Sequence, residues 1–240
     1  MGKAKSKIRT VEMKKKIYIL PGWAYDTKKW DIFVDKLDLV GFDCNVLKIP
    51  GLHLSIEKPW DINDYVEWLS KILKEEKSIV LLGHSNGGRI ALSYILKYPD
   101  KVSNLILIDS AGIYHKDLSL RVKRLIFKYL AKTGKKFTKS ESLKNLLYKF
   151  ARENDYNVAP EVMKKTMQNL ITHDLTPQLP KIKTNTLIIW GENDKTTTLS
   201  DGKLMNKKIH GSKFRMIEDA RHSPQFTHSK IVVELIKNFL

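Results

Sequence analysis

Cysteine is all but missing. Cys44 is the only one in 240 residues, so no disulfide can close within the chain, and the sequence reads as one suited to a reducing compartment, the cytoplasm. Long apolar runs are missing too: none approaches the roughly 20 residues that a bilayer-spanning helix needs. The opening Met1-Gly2-Lys3-Ala4-Lys5-Ser6-Lys7 leads into no apolar stretch, so it does not read as a secretory signal. It has the spelling of an N-myristoylation site, but a solvated basic tail over residues 1–15 is the simpler reading. No dinucleotide fingerprint or metal-ligand cluster stands out, so no cofactor and no metal are implied. Nucleic-acid recognition motifs are likewise missing.

Acidic residues are scarce, 26 against 43 lysines and arginines, for a net charge of +17. The excess is local. Residues 1–16 hold seven bases and one acid, and residues 113–183 hold sixteen and six, whereas residues 17–112 hold eleven and thirteen. Such a surface draws an anionic membrane, an acidic carrier protein or an acidic substrate, or it simply solubilises the chain. With 42% hydrophobic and 29% charged residues, the composition is that of a globular protein long enough to bury a sizeable core.

Six apolar, β-rich runs are present: residues 16–20, 43–49, 78–83, 103–109, 185–191 and 213–218. Several are apolar without alternation, as strands covered on both faces should be. Helical patterns lie between them, among them Trp30, Phe33, Val34 and Leu37, then Tyr65, Trp68, Leu69, Ile72 and Leu73 with Asn63 or Asp61 as cap. This alternation predicts an α/β fold, a doubly wound, mostly parallel sheet of about six strands. Residues 113–178 break it with three successive helical patterns and no strand, an all-helical insertion between two blocks of core, 16–112 and 179–240. The basic amphipathic helix near residues 120–132 either covers the core or lies on a membrane surface.

"SIVLLGHSNGGRIALSYILKYP" compresses a buried strand, a turn and a helix into one stretch. Gly83-His84-Ser85-Asn86-Gly87 spans the turn, which is the setting a G-x-S-x-G nucleophile elbow requires. The serine sits at a strained apex, Gly83 and Gly87 remove side chains that would collide across the turn, and the helix N-terminus behind favours a developing negative charge. A serine nucleophile needs a base, and the base needs an orienting acid. Downstream, "LIIWGENDKTT" puts Asp194 and Glu192 just past a strand, and "FRMIEDARHSPQF" does the same for His222. Asp194 is the preferred acid, Asp109 and Glu192 its rivals, and His222 the base. His84 adjoins Ser85, so its side chain is expected to point elsewhere. Backbone N–H groups of Asn86 and Trp23 are the oxyanion-hole candidates. Leu125, Tyr129, Phe150 and Met167, on the inserted helices, are candidate pocket residues.

Together "LPGW", "GHSNGG", "WGENDKTT" and "DARHSPQF" resemble the α/β-hydrolase fold superfamily, in its lid-bearing group of small serine esterases and related hydrolases, over about residues 15–240. The resemblance implies Ser85 as nucleophile, His222 as base, Asp194 as acid, Trp23 and Asn86 as oxyanion donors, and residues 113–178 as a lid. Two departures stand out: Pro21-Gly22 replaces the usual His-Gly, and Asn86 replaces the usual apolar residue. The family's first two strands also look absent or reduced. A serine in place of an aspartate nucleophile argues against the dehalogenase and epoxide hydrolase branches. The expected function is a carboxylesterase acting on a small-molecule ester through an acyl-enzyme. The alternatives are a C–C bond hydrolase of diketones, a thioesterase or acyltransferase served by an acidic carrier protein, and a non-enzymatic binding protein.

Overall fold

Each of the six apolar runs becomes a strand: β1 Lys15–Leu20, β2 Phe42–Val46, β3 Ile79–His84, β4 Val102–Ile108, β5 Asn185–Gly191 and β6 Lys213–Ile217. The computed structural model describes residues 14–23, 27–115 and 158–240. The strands form a single sheet in the order β2-β1-β3-β4-β5-β6, and every neighbouring pair is parallel. The helices between them are α1 Asp31–Leu39, α2 Ile62–Ile72, α3 Asn86–Lys97, α4 Val158–Thr172, α5 Leu199–Lys208, α6 Pro224–Thr227 and α7 Ser229–Phe239.

The pleat explains the absence of alternation in the strands. Leu81 and Leu105 on one face join Tyr65 and Leu69 of α2, Ile90 and Ala91 of α3, and Met205 of α5. Their chain neighbours Val80, Leu82 and Ile106 point to the other face and join Phe33 and Leu37 of α1 with Val232 and Ile236 of α7. At the centre of the sheet both faces are dry, so these positions are apolar, whereas the edge strands β2 and β6 keep exposed positions. Each such side chain, once fully buried, contributes about 1.5–3 kcal/mol.

Helix starts follow local chemistry. Of the two caps available for α2, Asp61 is the one used: its Oδ1 accepts from Asn63 N–H at 2.7 Å and Asp64 N–H at 3.2 Å, while Asp64 Oδ2 accepts from Asp61 N–H at 2.8 Å. That reciprocal pair is a capping box. The run 43–49 was expected to be strand throughout, yet β2 stops at Val46. Leu47 N–H still donates to Ile19 C=O at 2.9 Å. Ile49 N–H then turns to His53 Nδ1 at 2.9 Å, so the last apolar residues are buried as loop.

The strand order reverses between β1 and β3, because the chain leaves β1 for β2 on one side and returns to β3 on the other. Open parallel sheets bind ligands at such a switch point, beyond the carboxyl ends of the strands. The Pro21–Trp23 loop leaves β1 there and Ser85 leaves β3 there. Of the three inserted helical patterns, the third is α4. It is tied to the core where Thr166 Oγ1 accepts from Trp60 N–H at 3.0 Å and Asn169 Nδ2 donates to Trp60 C=O at 3.1 Å. The first two patterns, and the basic tail up to residue 13, lie outside the described residues. Among those described, no helix is long and apolar enough to cross a membrane.

Candidate active site

Ser85 follows β3 directly and caps α3 with φ +53° and ψ −122°. That conformation is costly for a residue with a side chain and persists only where the surroundings enforce it. Here they do: Ser85 N–H donates to Ile108 C=O at 3.1 Å, and Ser85 C=O accepts from Gly88 N–H at 3.0 Å and Ala111 N–H at 2.8 Å. The two elbow glycines make the turn possible. A Cβ on Gly87 would stand 1.9 Å from the Leu20 carbonyl oxygen, and one on Gly83 would stand 2.5 Å from Gly88 Cα. No L side chain fits at either place.

His222, in the loop after β6, faces Ser85 and Asp194 at once. Its Nε2 lies 2.9 Å from Ser85 Oγ and its Nδ1 lies 2.7 Å from Asp194 Oδ2. Asp194, buried in the loop after β5, is itself held. Thr196 N–H and Thr197 N–H donate to Oδ1 at 2.7 and 3.2 Å, and Thr197 Oγ1 donates to Oδ2 at 2.8 Å. With that carboxylate opposite it, Nδ1 carries the ring proton and Nε2 presents a lone pair to the serine. An imidazole held in this way can accept a proton from the Ser85 hydroxyl.

The rival acids have other tasks. Exposed Glu192 accepts from Asp219 N–H at 3.1 Å and so ties the loop after β6 to that after β5. Asp109, fully buried at φ +42°, accepts from Gly191 N–H at 2.8 Å. Burial, reinforced by the nearby Asp194 charge, pushes its carboxyl well above the usual carboxylate range, against the lowering effect of the Gly191 N–H. A carboxyl raised in the folded state stabilises the protein below its unfolded value, and that contribution is lost as pH rises through the folded value. Asp109→Asn, neutral at every pH, should therefore gain stability relative to wild type as pH rises above about 4, the usual carboxylate value. Urea midpoints across that range read the difference directly. A gap that is flat or narrows with pH contradicts this account of Asp109.

Two contacts were not expected. His84 does turn into the core, yet its ring ends beside His222, centroids 5.1 Å apart, with Trp30 packed edge-on at 6.0 Å. Burial, then the proximity of His222, depress its basicity well below the usual value, opposed by a hydrogen bond to the His222 backbone. It therefore stays neutral beneath the site. The other is Thr197, whose Oγ1, besides donating to Asp194 Oδ2, lies 3.3 Å from His222 Nδ1. Ligand atoms of His84, Asp109 and His222 lie within 4.8 Å of one another. Both ring nitrogens of His222 already face Ser85 and Asp194, which leaves none for a metal.

The oxyanion candidates border the serine. A Cβ on Gly22 would come 2.8 Å from Ser85 Cβ, so the Pro21–Trp23 loop passes directly against Ser85. Among the described residues neither Trp23 N–H nor Asn86 N–H has a backbone acceptor. The latter is an orphan donor at the first position of α3. Of the pocket candidates, Met167 is buried on α4, while Leu125, Tyr129 and Phe150 lie outside the described residues.

Known proteins share this arrangement of chain. The family described as serine aminopeptidase, S33 (Hydrolase_4) matches residues 12–227. The 2-hydroxy-6-oxononadienedioate/2-hydroxy-6-oxononatrienedioate hydrolase of Escherichia coli K12 is 25% identical, over 91% of this chain and 82% of its own length. The solved structure of MenH from S. aureus superposes with a TM-score of 0.72 at 25% identity, covering 96% of this chain and 95% of that one. An esterase from Exiguobacterium antarcticum superposes at 0.74 with 20% identity, over 94% and 91%, a likeness of fold alone. The chain thus belongs to the S33 serine aminopeptidase family and is an enzyme of the α/β-hydrolase superfamily.

Proposed function

We propose that this enzyme hydrolyses a small carboxylic ester through an acyl-enzyme on Ser85. The observation that carries the reading is the unbroken path from Ser85 Oγ through the His222 ring to Asp194, 2.9 and 2.7 Å long. Ser85 Oγ attacks the ester carbonyl while its proton passes to His222 Nε2. Asp194 holds the imidazolium in place, and the N–H groups of Trp23 and Asn86 receive the oxyanion, where each donor is worth about 10²–10³ in rate. The tetrahedral adduct collapses as His222 returns the proton to the departing alkoxide. Water then gives up a proton to His222 and attacks the acyl group, which releases the acid and restores Ser85. Residues 113–178 serve as a lid over this site, a role supported by their place between β4 and β5 and by the anchoring of α4 at Trp60.

A second reading has one specific support. The E. coli relative is named as a hydrolase of 2-hydroxy-6-oxo dioates, substrates that present a ketone, so the same serine could cleave a C–C bond. None of the relatives named above favours the acidic carrier protein. A substrate panel separates the first two readings. Wild-type enzyme should turn over p-nitrophenyl acetate and butyrate with kcat/KM at least about tenfold above that for a 2-hydroxy-6-oxodienoate. The reverse order assigns the site to C–C cleavage, and no turnover of either class contradicts both.

A further inference from the structure

Arg89 is out of place by two electrostatic criteria. It is 5% exposed, yet among the described residues no carboxylate comes within 4.0 Å of it. Burying a guanidinium without a counter-ion costs several kcal/mol. It also sits in the first turn of α3, which holds no acidic residue and whose positive dipole end repels a cation. One negative group placed here would relieve both penalties.

The geometry of its donors is specific. Nη1 lies 3.4 Å from Asn86 Oδ1, a long contact, and Nε is buried with no hydrogen-bond partner. Nε and Nη2 together form the side-on edge of the guanidinium, the edge that pairs with two oxygens of a planar carboxylate. Nη1 reaches the side chain of Asn86, which follows Ser85, and Arg89 itself stands four residues, about one helical turn, beyond Ser85, at the same corner of the fold. Asp174, the acid whose charge acts on Arg89, makes no ion pair with it, and its Oδ1 accepts from Tyr114 N–H, Thr176 N–H and Thr176 Oγ1. Burial lowers the Arg89 pKa only to about 10, so the charge is present at neutral pH. It is felt across the corner, where burial first and Arg89 second depress the basicity of His173.

We propose that Arg89 is a carboxylate-binding residue of the substrate site, so that the preferred substrate is an ester whose acyl part carries a second, free carboxylate. This rests on the reading of Ser85 as the ester-cleaving nucleophile. The +10 excess over residues 113–183 would draw such an anion toward the site.

The test uses mono-p-nitrophenyl esters of succinate, glutarate and adipate, each compared with the corresponding p-nitrophenyl methyl diester. The readout is the ratio of kcat/KM, acid over neutral, within one preparation, so any loss of folded protein cancels. At the best chain length wild type should favour the acid, and Arg89→Met should lower the ratio about 10- to 100-fold, with Arg89→Lys between them. A wild-type ratio at or below one, or a ratio that Arg89→Met leaves unchanged, overturns the proposal while the Ser85 reading stands. Thermal melts with added glutarate read the site without turnover. Glutarate should raise the Tm of wild type and not that of Arg89→Met, whereas glutaramide should raise neither. No shift in wild type, or a shift with inorganic phosphate but not with glutarate, overturns the carboxylate assignment. If neither ester class is cleaved, the Ser85 reading fails, and the melts still decide on Arg89.

Discussion

Ser85→Ala protein is expected to hydrolyse p-nitrophenyl butyrate at least about 10⁴-fold more slowly than wild type. The loss should lie in kcat, because the side chain removed makes its decisive interaction with the reacting carbonyl and not with the bound ester. Its fold should survive. The backbone bonds that hold the elbow, from Ser85 N–H to Ile108 and from Gly88 and Ala111 to Ser85 C=O, do not involve the hydroxyl. Alanine bears the same Cβ at φ +53°, so the backbone strain is unchanged. What is lost is the single hydrogen bond between Oγ and His222 Nε2, worth about 0.5–1.5 kcal/mol. Urea denaturation of the variant should stay within that margin. A variant that keeps its activity, or one that loses it by unfolding, contradicts this view of Ser85.

Asp194→Asn is expected to lower kcat by about 10³–10⁴ with a small change in KM. An asparagine amide placed 2.7 Å from His222 Nδ1 donates to that nitrogen and drives the ring proton to Nε2. Nε2 then faces Ser85 Oγ as a donor and cannot take its proton. Asp109→Asn should not reproduce this loss, because the Asp109 carboxyl answers to Gly191 N–H and not to the His222 ring. Steady-state kinetics on the two variants side by side therefore separate the acid beside the histidine from the acid beneath it. Equal losses in both would mean that the two carboxyls work as one unit.

Much of this is legible in the sequence. Strands β1, β3, β4, β5 and β6 coincide with apolar runs to within about one residue: the inner strands are covered on both faces over most of their length, and the edge strand β6 still buries Ile217. The elbow was legible for a related reason: at Gly83 and Gly87 only glycine fits, and the spacing of the two glycines about Ser85 is the imprint of that constraint. Asp194 and His222 were legible from order and from placement just past strand ends. What escaped was anything that depends on how separate segments meet. His84 was expected to point away from the site, and it does leave Ser85, but adjacency in sequence says nothing of the loop from residue 222 that packs over it. Arg89 carries no signal of its own in the sequence, since its lack of a partner is visible only when every neighbouring carboxylate has been located. The end of β2 was misjudged because Leu47 and Ile49 are buried outside the ladder, and an apolar side chain reports burial and not hydrogen bonding.

The central claim is that Ser85 is a nucleophile activated by His222. Its most direct test is peptide-level mass mapping of the folded protein after treatment with a fluorophosphonate. The account predicts one phosphonyl adduct, on the peptide that contains Ser85, absent after prior unfolding and strongly reduced in His222→Ala. An unlabelled Ser85 in folded wild-type protein, or equal labelling with and without His222, would contradict it.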